Sequence, residues 1–112
     1  MKLFYRTQGK GQPLIIIHGL FGSSDNWLTI TKKIAETYGV YLIDMRNHGR
    51  SPQSTVFTYS AMVDDLFEFI QDHAISNPII LGHSMGGKVA MHFALAYPDK
   101  IKKLIVVDIA PK

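Results

Sequence analysis

Four short apolar runs, each separated from the next by a segment long enough for a helix, constrain this chain more than any other feature. They are Leu14-Ile15-Ile16-Ile17, Val40–Ile43, Ile79-Ile80-Leu81 and Leu104–Val107. A strand that is apolar at successive positions is buried on both faces, which suits a parallel sheet covered by helices above and below. The intervening segments carry a helical period. Trp27, Ile30 and Ile34 fall at i, i+3 and i+7 of a helix expected to end near Tyr38-Gly39. Val63, Leu66, Phe67 and Ile70 form a second stripe, with Ser60 as its expected N-cap and Asp64, Asp65, Glu68 and Gln71 expected to face water. Lys88–Tyr97 is apolar on nearly all sides and stops at Pro98, so a central helix is expected there. A short strand over Leu3–Thr7 precedes them. Strands that alternate with helices imply right-handed crossovers, so the expected fold is a doubly wound, mostly parallel α/β sheet with helices on both faces.

The chain of 112 residues has the length of one domain at most. Its 46% hydrophobic, 11% aromatic and 19% charged residues describe a globular chain. Twelve basic and nine acidic residues give +3, too small and too scattered an excess to point to nucleic acid. Zero cysteines exclude disulfides, thiolate metal sites and thiol catalysis from these residues. No apolar run approaches the roughly 18 residues of a membrane span, and the start, Met1–Arg6, lacks a signal-peptide core, so a cytoplasmic location is expected. No internal repeat or linker interrupts the chain. Neither G-x-G-x-x-G nor G-x-x-x-x-G-K-[ST] occurs, which argues against a nucleotide-binding domain. No cofactor or metal is expected.

The chemistry-bearing segment is Gly82-His83-Ser84-Met85-Gly86-Gly87, set between the strand Ile79–Leu81 and the helix from Lys88. It is G-x-S-x-G in a strand–turn–helix context, which strains the serine backbone and lifts its hydroxyl above the sheet. Ser84 is the candidate nucleophile; the alternative is a plain helix cap with glycines that permit close packing. Acyl transfer also needs two convergent backbone donors for its oxyanion, one after the nucleophile and one from an earlier loop. Met85 N–H would be the first. Leu20 N–H, within His18-Gly19-Leu20-Phe21-Gly22 directly after the strand Leu14–Ile17, would be the second.

These two segments and Asp44-Met45-Arg46-Asn47-His48-Gly49-Arg50-Ser51 resemble the α/β-hydrolase superfamily in order and spacing. The likeness runs along the whole chain and is closest to the small esterase and acyl-CoA thioesterase branch that includes the bacterial YbfF-type enzymes. Val106–Pro111 resembles that branch too. Asn47 departs from the glycine common there, but asparagine tolerates positive φ, so the turn is expected to be kept. The resemblance implies a serine hydrolase of esters or thioesters working through an acyl-enzyme, with no cofactor. It makes Ser84 the nucleophile and Leu20 and Met85 the oxyanion donors. Asp108 is then either the catalytic acid or a strand-end carboxylate accepting local backbone hydrogen bonds.

The base is the missing piece. His83 is expected to diverge from Ser84, and His18 to brace the loop that follows it. His73 and His92 have no evident partner, and His48 is the one plausible stand-in. In the family the base follows the acid on a later loop, so the resemblance implies that the chain is an N-terminal half, with the lid, last strands and histidine loop expected outside it. Two functions are carried forward: the hydrolase, and a non-catalytic fragment or interaction module that self-associates or pairs with a complementary C-terminal half.

Overall fold

The apolar runs become neighbouring strands of one five-stranded sheet. The computed structural model describes residues 1–19, 22 and 27–107. In chain order its elements are β1 (Tyr5–Gln8), β2 (Gln12–Ile17), α1 (Leu28–Ile34), β3 (Tyr38–Ile43), α2 (Tyr59–Asp72), β4 (Ile79–His83), α3 (Met85–Ala96) and β5 (Lys103–Val107), with a 3-10 turn at Pro98–Lys100. The strand order is β1-β3-β2-β4-β5; β1 runs antiparallel to β3 and every other pairing is parallel. Period-two alternation divides the core. Ile15, Ile17, Ile43 and Ile80 point to the face covered by α2 and α3, whereas Leu14, Ile16, Val40 and Leu42 meet Leu28 and Ile34 of α1 on the other. This is the doubly wound α/β arrangement expected from the sequence.

From β2 the chain moves outward through α1 to β3, then crosses back through α2 to β4 on the opposite side of β2. The loops leaving the carboxyl ends of β2 and β4 therefore part toward opposite faces. Such a switch point opens a crevice at that edge of the sheet.

Several local expectations are corrected. Tyr38 and Gly39 belong to β3, paired with Gln12 and Pro13, and do not end a helix. Ile30 is exposed; Thr31 turns inward instead, its hydroxyl bonded to the Gln8 side chain. Thr58, not Ser60, caps α2, accepting the Ala61 N–H at 3.1 Å. Asp65 does not face water, as it is 3% exposed and paired with Arg46. α3 packs on β4, β5 and α2, yet Met91 and Leu95 are exposed, so the helix is not enclosed. β1 starts at Tyr5, while Leu3 is buried in the core beside α2.

Candidate active site

The turn between β4 and α3 is held by contacts that tolerate no side chain. A Cβ on Gly82 would strike the Gly86 carbonyl, and one on Gly86 would strike the carbonyl of Ile17. The first turn of α3 thus lies directly against the ends of both β4 and β2. Between those glycines Ser84 adopts φ 56°, ψ −113°, a region that costs a residue with a Cβ about 1–3 kcal/mol. Its N–H donates to the Val107 carbonyl at 3.1 Å, and its own carbonyl accepts Gly87 N–H at 2.9 Å and Lys88 N–H at 3.2 Å. The side chain is exposed and makes no capping hydrogen bond to α3. A plain cap would spend the hydroxyl on the helix; here it is left to the crevice.

Above Ser84 opens a cleft of about 510 Å³, walled by Phe57, Thr58, Tyr59 and Met62 on one side and Ser84, Met85 and Lys88 on the other. Met85 occupies the first position of α3, where helix geometry leaves the N–H without an intrahelical acceptor. Leu20 and Asp108 lie outside the described residues. Their neighbours do not: a Cβ on Gly19 would sit 3.3 Å from Ser84 Cβ, and Val107 bonds Ser84 through the backbone. Sequence reading missed the cleft wall of residues 57–62. Exposed Phe57 and Tyr59 on either side of the cap were its available signal.

His18 ties the loop after β2 to the loop after β3. Its Nε2 accepts Met45 N–H at 2.9 Å, so the ring proton is on Nδ1, which donates to the Gly19 carbonyl at 2.7 Å. That carbonyl also accepts Gly22 N–H at 2.9 Å. Burial pushes the His18 pKa below its ordinary value, and His48, packed at 5.0 Å between ring centroids, adds to the shift.

The loop after β3 is built as a rigid bracket. Asn47 takes φ 66°, as the turn requires, and its Oδ1 accepts Ser54 N–H at 2.6 Å. Arg46 donates from Nε and Nη2 to the two Asp65 oxygens at 2.7 and 2.9 Å, and from Nη1 to the Val56 carbonyl at 2.8 Å. This fork seats residues 54–56 against α2, just before the cleft wall. The hydrogen bonds with Asp65 raise the guanidinium pKa further.

None of the five histidines lines the cleft. His48 is buried, with Nδ1 donating to the Arg46 carbonyl at 2.9 Å. His83 packs against Trp27 with the two rings steeply inclined, 5.8 Å between centroids. His73 and His92 do have partners: His73 donates to the Phe69 carbonyl at 2.9 Å, and His92 stacks on Tyr59. Among the described residues no group of three His, Asp or Glu is placed to hold a metal, and no helix is long and apolar enough to cross a membrane.

A sequence model of the alpha/beta hydrolase fold matches residues 12–112. The chain belongs to the α/β-hydrolase family. It is 39% identical over 106 residues to the esterase YbfF of Escherichia coli (strain K12), covering 95% of this chain and 42% of that protein. It is 46% identical over 106 residues to the sn-1-specific diacylglycerol lipase ABHD11 of Danio rerio, covering 93% of this chain and 33% of the lipase. A solved marine microorganism esterase superposes with a TM-score of 0.94 at 55% identity, over 98% of this chain and 42% of its own. The chain thus corresponds to the N-terminal part of these α/β-hydrolases and spans about a third to two fifths of their length.

Proposed function

We propose that this chain carries the nucleophile and oxyanion donors of a serine-dependent hydrolase of carboxylic esters or thioesters. The observation that carries the reading is Ser84 itself: a strained residue on a turn closed by two glycines, its hydroxyl exposed to a cleft and not used to cap the helix. The esterases and lipases among its relatives point to ester substrates.

In this mechanism the Ser84 hydroxyl attacks the substrate carbonyl carbon as a base takes its proton. The carbonyl oxygen becomes an oxyanion, held by the N–H groups of Met85 and Leu20 and favoured by the positive end of the α3 dipole. The tetrahedral intermediate expels the alcohol or thiol, which takes up the proton, and water then hydrolyses the acyl-enzyme. We assign Asp108 as the acid that would orient the base, because Val107 is bonded to the Ser84 backbone. No histidine here lines the cleft, so the base is assigned to a part of the protein outside these residues.

Expressed from its native gene, the protein is expected to be labelled by a fluorophosphonate probe, with labelling lost in Ser84→Ala. Labelling of that variant at the wild-type rate would remove Ser84 from the mechanism. A second reading, a non-catalytic module that pairs along its sheet edge, is favoured by one observation: Leu104, Ile105 and Val106 of β5 are exposed. Absence of any Ser84-dependent labelling would select it.

A further inference from the structure

Lys88 stands one helical turn after Ser84 and lines the same cleft. The Ser84 carbonyl accepts Lys88 N–H at 3.2 Å, so the two residues lie one helical turn, about 6 Å, apart along the axis. Lys88 is exposed, and among the described residues no carboxylate lies within ion-pair distance of its ammonium. The described residues lining the cleft include no Asp or Glu, so Lys88 is the charged group among them. Its position also runs against helix electrostatics. A cation in the first turn opposes the macrodipole, and α3 has no acidic residue there to offset it. A local rule broken without compensation points to a functional demand.

We propose that Lys88 is a specificity-determining residue that selects substrates with an anionic group, carboxylate or phosphate, within a lysine's reach of the scissile carbonyl. The proposal rests on Ser84 being the nucleophile and adds the substrate class. An extended acyl chain with about four methylenes between the reacting carbonyl and a terminal carboxylate matches that axial offset of about 6 Å. The apolar wall of Phe57 and Met62 suits those methylenes, and the ammonium suits the terminus. The same contact serves an anion on the leaving group, and the experiment separates the two placements.

The test uses protein expressed from its native gene and two matched pairs of chromogenic esters. The first pair compares 4-nitrophenyl hydrogen adipate with 4-nitrophenyl hexanoate, placing the carboxylate on the acyl side. The second compares 5-acetoxy-2-nitrobenzoate with 4-nitrophenyl acetate, placing it on the leaving group. In at least one pair the anionic-to-neutral ratio of kcat/KM is expected to fall about tenfold in Lys88→Gln, chiefly through KM. It should largely survive in Lys88→Arg, drop further in Lys88→Glu, and shrink as salt is raised. Ser84-dependent hydrolysis of the neutral esters, with both ratios unmoved by Lys88→Gln, would overturn this inference and leave the hydrolase reading intact. Hydrolysis that survives Ser84→Ala, or no turnover of any of the four esters, overturns both.

Discussion

At Ser84 reactivity and stability pull in opposite directions. Its φ of 56° lies where a Cβ is strained. Glycine adopts that conformation without penalty and loses only the entropy of a more flexible unfolded chain. Ser84→Gly is therefore expected to raise unfolding stability by about 1 kcal/mol in urea titration while ending covalent labelling. His18 is the other residue with a measurable signature. It is buried and neutral, and its two nitrogens serve Met45 N–H and the Gly19 carbonyl. Protonating Nε2 would destroy an acceptor, and nearby His48 adds to the cost, although Asp44 partly offsets this. Because the folded pKa is lowered, the unfolded state binds the proton more readily. The His18 contribution is thus fully present above about pH 6.5 and is lost as pH falls below it. His18→Gln is expected to flatten the fall in stability below about pH 6.5.

Among the elements, the Arg46–Asp65 fork joins the β3 loop to α2, and its side chains are 11% and 4% exposed. Losing one partner strands the other charge, so Asp65→Leu is expected to cost roughly 3–5 kcal/mol by denaturant titration. The double variant Arg46→Met/Asp65→Leu should recover a large part of that loss, because it leaves no buried charge unpaired. This pair marks the limit of what the sequence discloses. The strands were legible because an uninterrupted aliphatic run such as Leu14–Ile17 fits few environments, and α2 because its stripe repeats at helical spacing. Asp65 reads as a water-facing helix residue since its partner lies 19 positions away and on another element. Tyr38-Gly39 reads as a helix end until the pairing with β2 is known. The Gly82–Gly86 turn was legible because the close approach of Gly82 to Gly86 lies within the motif itself, whereas the contact of Gly86 with Ile17 comes from β2. The cleft wall at residues 57–62 was not, because contacts distant in sequence, such as the Arg46 fork to Val56 and the His92 stack on Tyr59, bring it over Ser84.

Among the described residues of the molecule, β5 is the sheet edge that exposes an aliphatic run. Leu104, Ile105 and Val106 are 37%, 38% and 42% exposed, and Leu95 of α3 is 82% exposed. An apolar edge with free backbone donors invites another strand. The 112-residue chain expressed by itself is accordingly expected to self-associate, seen as concentration-dependent sedimentation, and Ile105→Lys should shift it toward monomer. The same preparation should hydrolyse short-chain 4-nitrophenyl esters at no more than a residual rate, since no histidine lines its cleft. A monomer with His48-dependent turnover at enzyme-like rates would refute that expectation.

The bond from Ser84 N–H to the Val107 carbonyl joins residues 23 positions apart. The strained turn therefore receives this restraint only once β5 has docked. In a chain synthesised from its N-terminus at about 5–20 residues per second, Val107 is added about one to five seconds after Ser84. Over that interval the ribosome holds a nascent segment that already contains the serine but still lacks the strand that fixes its amide in place.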